Sequence, residues 1–153
     1  MEEQEESPQR RRIAFIGCSS TKARVPCTAE KLYQGVLFRK SLVYCRQERF
    51  DAIYVLSAKY GLVALDDRLE PYDVSLRSFS RSKRLEWAEW VKEQMRRHGI
   101  QEKEVWFFCG KLYHEYFAGN KPMEGKSIGR CLAFFKERII YDRNVVIGRN
   151  GFF

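Results

Sequence analysis

The chain has little histidine, no closely spaced cysteine pair and no long apolar run, and each absence removes a class of function. Only His98 and His114 are present, and Cys18, Cys27, Cys45, Cys109 and Cys131 form no C-x-x-C. A structural zinc site draws on closely paired Cys and His ligands. No metal or cofactor is therefore expected, and the odd, scattered cysteines read as free thiols of a reducing cytoplasm. No stretch of about 18 apolar residues occurs, so no membrane span is expected. The acidic start Met1-Glu2-Glu3-Gln4-Glu5-Glu6 does not suit a signal peptide, and the apolar run after Arg10-Arg11-Arg12 is too short for a leader. Two phosphate-binding loops are missing as well. Gly17-Cys18-Ser19-Ser20-Thr21-Lys22 lacks the second glycine of a P-loop, and no G-x-G-x-x-G opens a dinucleotide fold. An ATPase or dehydrogenase is disfavoured.

What is present describes a globular protein. The 153 residues are 44% hydrophobic and 31% charged, enough for one domain with a core of its own. A polar tail at 1–11 is expected to fray, and 12–153 to form a single α/β domain. The net charge of +8 favours an anionic partner: a nucleotide, DNA or RNA, or a membrane surface. The aromatic share of 14% suits a packed core, a base-stacking surface, or both.

Three short segments read as strands: Ile13-Ala14-Phe15-Ile16, Ala52-Ile53-Tyr54-Val55-Leu56 and Glu104-Val105-Trp106-Phe107-Phe108-Cys109, each continuously apolar once the leading Glu104 of the third is set aside. Strands of that kind, separated by helical patterns, form parallel β-α-β units buried on both faces. The expected fold is a three-layer α/β sandwich with a small, mostly parallel sheet. Helices are expected over about 29–49, from Ser78 or Ser80 to His98, over 111–118 and from Ser127 to Arg138, with an edge strand at Val145-Val146-Ile147. The third-quarter helix should bury Leu85, Ala88, Trp90 or Val91, and Met95.

All three strands end in small residues and then a lysine: Gly17 to Lys22, Ser57-Ala58-Lys59, and Cys109-Gly110-Lys111. The carboxyl edge of an open parallel sheet is where ligands bind, because small residues let them reach the backbone. Lys22, Lys59 and Lys111 are expected to hold phosphate there, with Cys18, Ser19, Ser57, Gly61, Gly110 and Tyr113 around it. The stretch from Leu56 to Leu76 continues its strand with polar, aromatic and turn residues. Tyr60 and Tyr72 suit base stacking or a lid over the core. Asp66, Asp67, Glu70 and Asp73 supply carboxylates, with Asp73 the preferred acid, base or base-edge acceptor beside Lys59 as a catalytic pair, although turn chemistry also explains them. A second surface combines Arg77, Arg81, Lys83, Arg84, Lys92, Arg96 and Arg97 with Trp87 and Trp90. It suits phosphate tracking by a non-catalytic DNA- or RNA-binding protein, or a solvated face laced by Glu86, Glu89 and Glu93.

The ordered motifs Gly17-Cys18-Ser19-Ser20-x-Lys22, Leu32-Tyr33 with Phe38, Leu56 to Leu62, Glu70-Pro71-Tyr72-Asp73, and Pro122-x-x-Gly125 with Ile128-Gly129 span about 13–135. They resemble an uncharacterised domain family of bacterial and phage proteins. The Leu56 loop with Pro71-Tyr72-Asp73 is also similar to the uracil-DNA-glycosylase-like domain of archaeosine synthase and to bacterial peroxide-stress DNA-binding proteins. The resemblance implies a uracil-DNA-glycosylase-like α/β domain that handles a nucleobase, nucleotide or nucleic acid. Any chemistry would be base modification, base exchange or N-glycosidic cleavage. The water-activating motif and late histidine loop of true uracil-DNA glycosylases are not recognisable.

Overall fold

The computed structural model describes residues 11–140. In chain order these form β1 (Ile13–Gly17), β2 (Cys27–Thr28), α1 (Ala29–Leu32), α2 (Val36–Gln47), β3 (Ala52–Ser57), β4 (Gly61–Ala64) and β5 (Arg68–Leu69), then α3 (Arg81–Arg97), β6 (Val105–Phe108), α4 (Lys111–His114) and α5 (Ile128–Arg138). The main sheet has the order β4-β3-β1-β6, and β2 pairs with β5 in a separate ribbon. β1 is central and parallel to both β3 and β6, whereas β4 folds back antiparallel on β3.

Alternate residues of each strand face opposite layers. Ala14, Ile16, Val55 and Phe108 pack toward α2 and α5, meeting Phe38, Leu42 and Phe135. Ile13, Phe15, Leu56 and Phe107 pack toward α3, meeting Trp87, Val91 and Met95. Burial on both faces is why these strands read as unbroken apolar runs. Each fully buried side chain of this size contributes on the order of 1.5–3 kcal/mol. The result is the expected α/β architecture, a mostly parallel four-stranded sheet between helices.

Four expectations need correction. The single helix over 29–49 is two helices, because Tyr33 is extended and Gln34 turns to donate its backbone N–H to the Thr21 carbonyl at 2.8 Å. The supposed loop after Ser57 contains strand β4, which a three-residue turn folds onto β3. Its outward amides are covered by side chains: Gln94 Oε1 accepts from Leu62 N at 2.9 Å and Asp67 Oδ2 from Ala64 N at 2.9 Å, which blunts the edge against further pairing. On α3 the buried face is Trp87, Ala88, Val91 and Met95, while Leu85 and Trp90 are 46% and 44% exposed. Arg11, assigned to the fraying tail, is anchored by Glu104 at 3.1 Å and the Gly99 carbonyl at 2.7 Å. Of the helix signals, Ser80 caps α3 and Ser127 caps α5. The edge strand expected at 145–147 and the rest of the tail lie outside the described residues.

Candidate functional site

Because β1, β3 and β6 run the same way, Cys18, Ser57 and Gly110 arrive at one edge of the sheet. Gly17 is required there: a Cβ on it would stand 2.9 Å from the Cys109 Cβ. The residues expected at this edge divide into a closed half and an open half.

The closed half is built around Ser57. Its hydroxyl oxygen accepts from the backbone N–H of Tyr60 at 3.0 Å and of Lys59 at 3.2 Å, and it shares a hydrogen bond with Tyr72 Oη at 2.7 Å. Tyr72 Oη in turn meets Tyr33 Oη at 2.7 Å. The Trp87 indole N–H donates to the Ser57 carbonyl at 2.9 Å. Tyr60 stands edge-on to Tyr72, ring centres 5.4 Å apart, and its hydroxyl donates to the Glu70 carbonyl at 3.4 Å. Ser57 and Tyr33 are buried, and burial pushes the Tyr33 phenol up to about 12. Tyr72 is also raised, chiefly by burial and then by Cys18 and Tyr33. A buried hydroxyl keeps its proton when the charged form would be desolvated. This chain of hydroxyls latches the Glu70–Ser75 segment onto the sheet. Gly61 belongs to the same construction, since its φ is +70° and a Cβ would fall 2.2 Å from Gln94 Oε1.

Cations lie on the outside of the latch. Lys22 Nζ is 4.5 Å from the centre of the Tyr72 ring, and Lys59 Nζ is 5.2 Å from that of Tyr60 and 5.9 Å from that of Tyr72. Glu70 and Asp73 are exposed, and their carboxylates make no hydrogen bond or ion pair among the described residues.

The open half is a crevice of about 550 Å3 lined on one side by Cys18, Ser19, Gly110, Lys111 and Tyr113. Facing them are Val36 and Leu37 from the start of α2, with Ser75 and Arg77 at the rim. Of the three lysines expected to gather here, Lys111 lines the crevice, whereas Lys22 and Lys59 belong to the latch. Ser19 braces the wall: its hydroxyl donates to the Thr21 carbonyl at 2.7 Å and accepts from Gly35 N–H at 2.9 Å. Gly35 permits that approach, because a Cβ would stand 2.6 Å from Ser19 Oγ. As the N-cap of α2, Gly35 has no side chain to cap the helix, so the first-turn amides beyond it keep their hydrogen-bonding capacity. Cys18 Sγ lies 3.3 Å from Tyr113 Oη, and Tyr113 is raised by burial and then by Cys18. Burial likewise raises Cys109 and keeps it a thiol.

No carboxylate lines this crevice, and neither Arg77 nor Lys111 makes an ion pair among the described residues. The basic helix differs. On α3, Arg84 pairs with Glu115 at 3.0 Å, Lys92 with Glu89 and Glu102, and Arg96 and Arg97 with Glu93. Four of its six cations are thus paired within the protein, while Arg81 and Lys83 make no ion pair among the described residues. Among the described residues no group of three or more His, Cys, Asp or Glu is placed to hold a metal ion, and no helix is long and apolar enough to cross a membrane.

Sequence reasoning grouped Arg77 with the α3 surface. The short 3-10 turn Leu76–Ser78, capped by Ser75, instead carries it to the crevice. The only sequence signal for that was the Ser75–Ser78 spacing ahead of the helix.

Residues 13–137 match the model of a family described as "Family of unknown function (DUF6884)". No curated protein and no solved structure matches the chain. The likeness to uracil-DNA-glycosylase-like domains and to peroxide-stress proteins therefore has no named relative behind it.

Proposed function

The chain belongs to DUF6884, a family of unknown function, and we propose from its own geometry that it binds an anionic, base-bearing ligand of nucleotide size at the carboxyl edge of the sheet. One observation carries the reading: the crevice presents Arg77 and Lys111, both without carboxylate partners, and no acidic side chain. Two unpaired cations across an opening raise the local concentration of an anion and bind its phosphate oxygens. Amides at the start of α2 add donors for the same group. A volume of about 550 Å3 suits a small organic ligand, and the ring of Tyr113 offers an aromatic wall.

Base modification, base exchange or N-glycosidic cleavage needs a group that moves a proton at the ligand. Asp73, proposed for that work beside Lys59, is exposed and outside the crevice lining. The geometry therefore favours binding over turnover, and a catalytic Asp73 requires its segment to fold over the ligand. Nucleic acid is the weaker partner, because four of the six cations of α3 are already ion-paired within the protein.

Calorimetric titration with nucleoside 5′-monophosphates and with inorganic pyrophosphate tests the reading. Saturable binding is expected that weakens tenfold or more in the Arg77→Ala/Lys111→Ala double variant and as salt rises. Equal affinity in a well-folded double variant overturns it.

A further inference from the structure

The crevice is not the end of the opening. Past Lys111 it joins a second chamber of about 440 Å3 between α2, α5 and the segment around Met123. Leu37, Ser41, Phe108, Cys109, Lys111 and Ile128 border both spaces. The deeper walls of the chamber are Met123, Cys131 and Phe135, all buried and weakly polar or apolar. Lys111, Glu124 and Lys126 stand at its exposed side, and two polar side chains on its lining are buried: Ser41, whose hydroxyl donates to the Leu37 carbonyl at 2.7 Å, and His114, 3% exposed. The Nδ1 of His114 is sealed from solvent and has no hydrogen-bond partner, the one such side-chain atom among the described residues. Buried polar groups are nearly always hydrogen-bonded, so a chamber-lining ring with an orphan nitrogen calls for a partner, which Nδ1 reaches once the ring turns toward the chamber. Desolvation, and then the charge of Lys121, lowers the pKa of this imidazole against the opposing pull of Glu124, its own backbone and Glu115. The ring is neutral, with a donor and an acceptor to offer.

We propose that this chamber holds the uncharged planar part of the ligand, the nucleobase of a nucleotide whose phosphate lies at Lys111 and Arg77, and that His114 supplies its polar contact. The inference rests on the nucleotide reading above and adds where the base goes. A bare anion has no use for the buried floor of Met123, Cys131 and Phe135, and a polynucleotide backbone does not enter so narrow a chamber. Lys111 is the hinge of the arrangement because it borders both spaces. Ile128, 63% exposed, borders both spaces as an apolar lip, and Val36, 52% exposed, lies on the crevice side of it. They suit a flat ring passing between α2 and α5.

Methionine methyl NMR on the full chain separates this inference from the reading beneath it. Met123 lines the chamber, whereas Met95 lies in the core on the opposite face of the sheet. Nucleoside 5′-monophosphates should move the Met123 resonance saturably and leave Met95 in place, while inorganic pyrophosphate binds without moving Met123. His114→Phe, which keeps the ring volume, should weaken the nucleotide about tenfold and leave pyrophosphate affinity unchanged. Calorimetric binding that depends on Lys111 but leaves Met123 unmoved overturns the chamber and retains the crevice. A Met123 shift that is indifferent to Lys111→Ala overturns the joined site. No binding of any probe overturns both.

Discussion

Ser57 and Lys111 occupy equivalent places, each at the carboxyl end of a parallel strand, yet one half of the sheet edge is shut and the other open. At Ser57 the hydroxyl and the carbonyl both have protein partners: two amides and the Tyr72 hydroxyl for the first, the Trp87 indole for the second. At Lys111 the cation has none. The cause is the path of the chain beyond each strand. β3 turns back at once into β4, and the chain returns a third time to lay Tyr72 across the strand end. β6 leads into a short helix whose start remains uncovered. Satisfied polar groups hold a fold together, while unsatisfied ones at a cavity are available to a ligand. The comparison assigns stability to the Ser57 half and binding to the Lys111 half, and each assignment can be broken.

The largest effect is expected at the base of the latch. Tyr33→Ala removes a buried ring that packs 5.3 Å from Phe38 and supports Tyr72. Denaturant unfolding should show a loss of about 3–5 kcal/mol. A loss below about 1 kcal/mol would mean that the latch is decorative. Next comes the open half. Arg77→Ala with Lys111→Ala should cost tenfold to hundredfold in nucleotide affinity, since a hydrogen bond to a charged group contributes about 1.5–3 kcal/mol. Unfolding stability should change by no more than about 0.5 kcal/mol. A large drop in stability would show that these cations are structural.

Ser57→Ala probes the boundary. It strands two amides and leaves the Tyr72 hydroxyl with Tyr33 alone, so about 1–3 kcal/mol of stability should be lost, with nucleotide affinity unchanged by calorimetry at a temperature where the variant is folded. Lost affinity would join the two halves into one site. Alkaline pH sharpens the same contrast. Tyr33 ionises near 12 in the folded chain and near 10 when unfolded. The neutral latch therefore contributes its stability fully below about pH 10 and loses it as the pH rises toward 12. Unfolding midpoints should fall as tyrosinate absorbance rises, and Tyr33→Phe should flatten that limb.

The parallel strands were legible in the sequence because burial on both faces leaves unbroken apolar runs. The location of the site was legible from the small residues at their ends. The division between halves was not. It depends on Tyr33 leaving its helix to reach Tyr72, 39 residues away in the chain, and on Ser19 accepting from Gly35 across 16. No local pattern announces such contacts. Tyr33 and Gly35 sit inside a stretch whose apolar spacing continues as helix, so periodicity alone spans the break. Trp90 and Leu85 show the same limit. Their spacing fits a helical stripe, but the sheet meets α3 along the neighbouring line through Trp87 and Val91.

The smallest effects are expected at Lys59 and Asp73, and they decide most about chemistry. Lys59 stands over two tyrosine rings with no carboxylate, a weak cation–π arrangement in solvent, and Asp73 is exposed without a partner. Neither lines the crevice. Lys59→Ala and Asp73→Asn should shift unfolding by no more than about 0.5 kcal/mol and nucleotide affinity by less than about threefold, under 1 kcal/mol. A tenfold loss in Lys59→Ala would move the phosphate from Lys111 to the Tyr72 side, where Lys22 already stands 4.5 Å from the ring centre. An Asp73→Asn variant that binds normally but no longer alters a bound nucleotide would have a different meaning. The latched segment would then open and close during a reaction, and the closed half of the edge would be a resting state rather than a fixed support.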